Sequence, residues 1–112
     1  MAKIDQKTNQ VIFTKQEYFE TWQNCPIIQN RDSKEFRLCY ICKFPMEFKI
    51  NEKDSKIENA WVIDLINAKK PVLEIENYIG VHANCVQNRK KMDSTKLIKK
   101  IKMVGWMAPE DY

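Results

Sequence analysis

Histidine occurs once in these 112 residues, glycine twice and proline four times. So few glycines and prolines argue against long flexible linkers. A single histidine denies the chain any site that needs one imidazole on a metal and another as general base. No apolar run reaches the length of a membrane span. The opening "MAKIDQKTNQ" lacks the apolar centre of a signal peptide, so a cytoplasmic or other intracellular reducing compartment is expected. No internal repeat or low-complexity block interrupts the chain. In a reducing compartment the four cysteines point to metal binding before disulfides.

What remains fits one α+β domain over residues 1–112. Hydrophobic residues make up 44% and charged residues 30%, a globular balance. A core of this size is modest, so a metal clamp would add useful stability. Lys, Ile and Asn supply 38 of the 112 residues, the bias of an AT-rich coding sequence. Phage and viral genomes are among the sources of such sequences. The net charge of +4 is uneven. Between residues 82 and 102, Arg89, Lys90, Lys91, Lys96, Lys99, Lys100 and Lys102 face only Asp93, which makes that segment +6 and the rest −2.

Local patterns give an outline. Thr14 and Glu17 form a capping-box pattern before an N-terminal helix over about 14–25, with Tyr18, Phe19 and Trp22 on its apolar side and Pro26 as its stop. "FRLCYICKFPMEFKI" alternates at Phe44, Met46, Phe48 and Ile50, a strand period. Ser55 and Glu58 resemble a second capping box. With Ile57, Trp61 and Leu65 recurring every four residues, they predict a helix, although "AWVIDLI" is also rich in strand-favouring residues. "VLEIENYIGV" predicts a strand, and Gly80 a sharp change of direction after it. A short helix is expected over about 82–91. A basic helix follows over about 94–104, with Leu97, Ile98, Ile101 and Val104 on one face.

The chemistry lies in two cysteine-bearing pairs. Cys39-x-x-Cys42 is followed, after 39 intervening residues, by His82-x-x-Cys85. A knuckle turn can aim two sulfurs at one ion, and positions i and i+3 at a helix start share a face. Three thiolates and one imidazole complete a tetrahedral shell for a single structural Zn2+ with no open position. The loaded site would carry −1, lowering the net charge to about +3. A redox dithiol at Cys39 and Cys42 is the competing reading. Cys25 is spare: a buried thiol at a helix end, or a substitute for His82 in the shell.

"CYIC", followed much later by a strand, a glycine and "HANC", resembles a treble-clef zinc finger. In that group a knuckle gives two ligands and the first turn of a helix gives two more. The Cys-Cys-His-Cys order, with H-x-x-C ahead of a basic helix, is also similar to the DNA-break-sensing fingers of poly(ADP-ribose) polymerases and DNA ligases. The resemblance covers about residues 36–92. The insert is longer here, and Val81 stands where those fingers have an aromatic residue before the histidine. The ligand roles of Cys39, Cys42, His82 and Cys85 carry over, and DNA-break sensing does not. The resemblance therefore implies a small zinc-stabilised treble-clef-like domain with flanking helices.

Three functions fit such a chain. A nucleic-acid or nucleoprotein-binding module would use the seven basic residues named above as phosphate contacts, with Tyr40, Trp106 and Tyr112 as stacking groups. The bland counterpart is a solvated lysine face placed favourably near a helix C-terminus. A protein adaptor or regulator of a larger complex would use exposed apolar anchors. Trp106 and Met107 are the best candidates, because Trp22 and Trp61 sit at helical spacing and belong in a core. A treble-clef nuclease is disfavoured: the sole histidine is committed, and Asp64, Glu74 and Glu76 have no partner motif. No membrane and no small-molecule substrate is expected.

Overall fold

The computed structural model describes residues 3–4, 11–48, 50–51, 56–57 and 61–108. Its strands are short and all paired antiparallel. In chain order they are β1 (Lys3–Ile4), β2 (Val11–Ile12), β3 (Phe36–Leu38), β4 (Pro45–Glu47), β5 (Ile50–Asn51), β6 (Lys56–Ile57), β7 (Trp61–Leu65) and β8 (Tyr78–His82). They form four two-stranded sheets: β1 with β2, β3 with β4, β5 with β6, and β7 with β8. Two helices, α1 (Lys15–Asn24) and α2 (Thr95–Lys102), flank them. None of the described helices is long and apolar enough to cross a membrane.

The capping box at the start of α1 forms as the residues dictate. The Glu17 amide donates to Thr14 Oγ1 at 3.1 Å, and the Thr14 amide donates to Glu17 Oε1 at 2.9 Å. Trp22 is the buried residue of its apolar side, and its indole N–H donates to the Ser33 carbonyl at 2.9 Å. Phe19 stays exposed at 43%. Trp22 and Trp61 meet with ring centroids 5.1 Å apart, and Phe48 closes the cluster at 5.0 Å and 5.5 Å from them. Leu38, Met46, Ile79, Val81, Ile98 and Ile101 complete the core around these rings.

Several expectations give way. The segment around Trp61 is a strand, not a helix: β7 pairs with β8 from Trp61↔His82 to Leu65↔Tyr78. β-Branched and aromatic side chains on a half-buried pleat outweigh a fourfold recurrence, which a buried strand also satisfies. The Ser55–Glu58 capping box lies outside the described residues. The following strand begins only at Tyr78, because Ile75–Asn77 forms a 3-10 turn. Of the alternating run from Phe44 to Ile50, Pro45–Glu47 forms β4, which pairs back across the knuckle with β3, and Ile50 opens a separate short strand, β5. The expected helix over 82–91 is a 3-10 turn at Ala83–Asn88. In α2, Ile98 and Ile101 are buried as expected, but Leu97 and Val104 are exposed at 42% and 52%. Leu97 lies at the edge of the buried arc, and Val104 follows the last turn.

Gly80 does not turn the chain. It sits inside β8 with no positive φ. Its function is close approach: a Cβ there would lie 2.8 Å from Trp61 Cε3 and 3.0 Å from Cys25 Sγ. Its amide also donates to Cys25 Sγ at 3.2 Å. Gly80→Ala therefore drives a methyl into the tryptophan cluster. It should destabilise by about 1–3 kcal/mol, read as a lowered melting temperature, and should leave metal content per folded chain unchanged.

Candidate metal centre

Two hairpins build the centre. The six residues 39–44 connect β3 to β4, and the turn closes on itself. The Cys39 amide donates to the Phe44 carbonyl at 3.0 Å, and the Lys43 amide donates to the Cys39 carbonyl at 2.8 Å. Lys43 takes up the reversal with φ of 59°, the only positive φ among the described non-glycine residues. His82 is the last residue of β8, and Cys85 lies in the 3-10 turn that follows. His82 has strand-like backbone at the N-cap of that turn, with φ of −59° and ψ of 138°, so the bend from strand into turn, and not one helical face, brings the H-x-x-C pair together.

The donor atoms of Cys39, Cys42, His82 and Cys85 all lie within 4.8 Å of one another. A tetrahedral zinc, with Zn–S about 2.3 Å and Zn–N about 2.0 Å, spaces its ligand atoms about 3.5–3.8 Å apart. The cluster fits that cage with small adjustments. His82 Nδ1 sits 3.2 Å from Cys42 Sγ, while Nε2 lies 3.2 Å from the Pro45 carbonyl. That carbonyl can only accept, so Nε2 carries a proton, and Nδ1 is the nitrogen that would turn its lone pair to a bound metal ion. Cys39 is fully buried and the other three are half-buried. These four residues could hold a metal ion, and the set is compatible with one structural zinc.

The electrostatics agree. Burial pushes the Cys39 thiol up, but its bond with His82 and the backbone amides of Cys42, His82 and Ile41 outweigh that and bring it to about 6. His82 is raised chiefly by the same bond. Cys42 is raised by burial and, among other effects, by the charge on Cys39. Cys85 is pushed up to about 12 by burial and by its sulfur neighbours. Without a cation the cluster thus supports one thiolate and resists the next two. A dication removes that resistance.

Cys25 takes no part. It is buried between Thr21 and Gly80, and burial raises its thiol to about 12. It belongs to the hydrophobic core, not to the metal cluster.

The basic residues divide. Lys90, Lys91, Lys96, Lys99, Lys100 and Lys102 are exposed. Arg89 is not available in the same way, since its side chain is only 9% exposed. Its guanidinium meets Asp64 Oδ2 at 3.1 Å and donates to the carbonyls of Leu65, Ile66, Lys91 and Met92. It ties the end of β7 to the chain entering α2. The Ser94 amide, donating to the Ile66 carbonyl at 2.8 Å, reinforces that seam. Sequence reasoning grouped Arg89 with its lysine neighbours; only its contacts separate them. Tyr40 is buried, with its hydroxyl 3.0 Å from Ser94 Oγ, so it offers no stacking face. Trp106 is half-buried, and its indole N–H donates to the Ile101 carbonyl at 2.9 Å. Met107 is exposed at 63%. Tyr112 lies outside the described residues. Lys43 is exposed directly after Cys42, beside the centre, as its place in the sequence implies.

Comparison with known protein families, with curated proteins and with solved structures finds no match for this chain.

Two outcomes check the centre. Cys39→Ser, Cys42→Ser and Cys85→Ser should each release zinc and lower the melting temperature, while Cys25→Ser retains zinc. His82→Cys should keep the ion, and His82→Ala should lose affinity. Between the Cys39 value near 6 and the Cys85 value near 12, two thiols remain protonated and must ionise on loading. Near pH 7 zinc should therefore displace one proton each from Cys42 and Cys85 and part of one from His82, whose pKa is raised, and its affinity should fall at least about 100-fold per unit of acidification. Calorimetry in buffers of different ionisation enthalpy reads the proton count directly.

Removal of Arg89 is a separate matter. Arg89→Ala leaves Asp64 and several carbonyls without their donor and should cost about 3 kcal/mol. Arg89→Lys should recover little of that loss, because one ammonium cannot span the same acceptors. Chemical denaturation of both variants, with zinc content measured in parallel, distinguishes a structural arginine from a surface one.

Proposed function

We propose that this protein is a non-enzymatic, zinc-stabilised binding module of treble-clef type whose C-terminal basic surface contacts nucleic acid. The treble-clef assignment rests on the hairpin knuckle that gives two ligands and on the pair spanning the end of β8 and the turn after it. The non-enzymatic part of this reading is supported by His82: with both nitrogens engaged at the centre, the chain has no other imidazole to move a proton.

One observation supports nucleic acid most. Lys90, Lys91, Lys96, Lys99 and Lys100 are all exposed, and α2 has no acidic residue in its first turn. Lysines in the last turn would favour the helix dipole, but Lys96 lies in the first turn, where a cation opposes it. Helix stability alone therefore does not account for the arrangement. Asp93, the one acid nearby, is engaged by the amide and hydroxyl of Thr95 at 3.0 Å and 2.6 Å. Such a surface neutralises phosphates without reading base sequence.

A second reading has its own observation. Met103, Val104 and Met107 are exposed at 88%, 52% and 63% around the end of α2. An apolar strip of this kind suits a protein adaptor or regulator within a larger complex. Trp106 is no longer its anchor, because it packs back on α2.

Titration of an arbitrary oligonucleotide at several salt concentrations tests the first reading. The slope of log affinity on log salt should be about −3 to −5 for four to six engaged lysines. Changing Lys96, Lys99 and Lys100 together to Gln should make the slope shallower by about two to three units, with zinc content and melting temperature unchanged. A wild-type protein that binds neither DNA nor RNA at low salt would leave the adaptor reading in front.

A further inference from the structure

The groove between the metal knuckle and α2 is lined by Tyr40, Ile41, Lys43, Lys90, Lys91 and Leu97, and has a volume of about 360 Å³. No acidic side chain lines it. Its lysines come from two separate parts of the chain: Lys43 from the knuckle, Lys90 and Lys91 from the segment leading to α2. Ile41 and Leu97 supply apolar wall. The buried Tyr40 and Ser94 hydroxyls already pair with each other, so the floor presents no free recognition group of its own. Arg89 also borders the groove, but its guanidinium is held by Asp64 and the backbone. What the groove offers is three lysine charges and the exposed Asn88 amide around an apolar trough.

Lys43 stands out within this set. It occupies a left-handed conformation, with φ of 59°, that glycine or asparagine adopts at lower cost. A bulky residue held there points to a use for its side chain. The use consistent with its surroundings is charge: Lys43 adds a cation from the knuckle to the groove that Lys90 and Lys91 also line.

We propose that this groove seats one phosphodiester strand, with Lys43, Lys90 and Lys91 on its phosphates and Ile41 and Leu97 against its sugars. The inference rests on the nucleic-acid reading above and narrows it. A volume of about 360 Å³ admits a sugar–phosphate stretch of one or two nucleotides, and a duplex is too wide to enter. Lysines placed as point charges, with no free guanidinium and no exposed ring in the lining, hold a strand irrespective of its bases. Lys100, three residues beyond Leu97 and therefore its neighbour on the helix surface, continues the path. The zinc knuckle forms one wall of the groove, so the ion shapes the binding surface as well as the fold.

Substitution at Lys43 separates this proposal from general surface charge. Lys43→Gly relieves the backbone and removes the ammonium. The zinc-loaded full chain should keep its metal content and show no fall in melting temperature. Its affinity for a fluorescein-labelled oligo(dT) at low salt should drop roughly fivefold, with the salt slope shallower by about 0.7. Lys43→Asn, also tolerant of this backbone, should behave alike and guards against a fold defect peculiar to glycine. The triple change of Lys43, Lys90 and Lys91 to Gln should make the slope shallower by about two. Wild-type protein should prefer the single strand to a duplex of equal length and should ignore a poly-glutamate peptide. If wild type binds the oligonucleotide but Lys43→Gly and Lys43→Asn bind it equally well, the groove is wrong and the solvent face of α2 carries the binding. Equal affinity for duplex, or for poly-glutamate, overturns the strand as occupant. If wild type binds no nucleic acid, the parent reading fails, and this one with it.

Discussion

The imidazole of His82 lies between two hairpins that otherwise belong to different parts of the chain. One nitrogen faces the sulfur of Cys42 in the β3–β4 connection, and the other faces the carbonyl that opens β4. The β7–β8 hairpin supplies the ring itself, at a register position opposite Trp61. Displacement of that ring would therefore disturb the metal cage, the meeting of the two hairpins and the edge of the tryptophan cluster together. Strands of two to five residues cannot hold such a layout by ladder hydrogen bonds alone, since an isolated two-stranded hairpin is marginal in water. A metal ion held by the four residues at their junction would compensate for the small sheets.

Seen from that junction, the remaining structure forms two shells. On one side, Trp22, Trp61 and Phe48 pack together, and Trp61 and Cys25 lie against Gly80, where the lack of a side chain lets a helix end and a hairpin close together. On the other side, Arg89 laces the end of β7 to the approach to α2, and this seats Ile98 and Ile101 in the core. The same seam turns the lysines of α2 outward. One inward-facing cation thus organises a surface of outward-facing ones.

Much of the centre was legible in the sequence because metal ligation is local in spacing and restrictive in chemistry. The pairs at 39–42 and 82–85 used the only histidine and three of four cysteines, and few arrangements satisfy both facts. The α1 cap was legible for a similar reason, since Thr14 and Glu17 interact with their own turn. The strand at Trp61 was not, because a buried strand and a helix edge can share the same apolar spacing, and its partner β8 lies 17 residues along the chain from Trp61 to Tyr78. Gly80 read as a turn because chain reversal is the commoner use of glycine. Its true constraint is a tryptophan ring that only tertiary structure brings there. Arg89 failed for the same reason: nothing local reveals that its acceptors are carbonyls some 23 residues earlier.

The separation of the two ligand pairs has a consequence for biosynthesis. An ion joining Cys42 to His82 closes a loop of about 40 residues, and a cross-link of that span restricts the unfolded chain by about 4 kcal/mol. None of this restraint exists while the knuckle alone has left the ribosome, because two thiols make an incomplete shell. With a metal in the centre, the nascent chain would have to wait until Cys85 emerges before the ion could lock β4 to β8, and the seam that seats α2 would form only afterwards. The centre would thus close almost at once, by a bond whose last partner follows the knuckle by 43 residues.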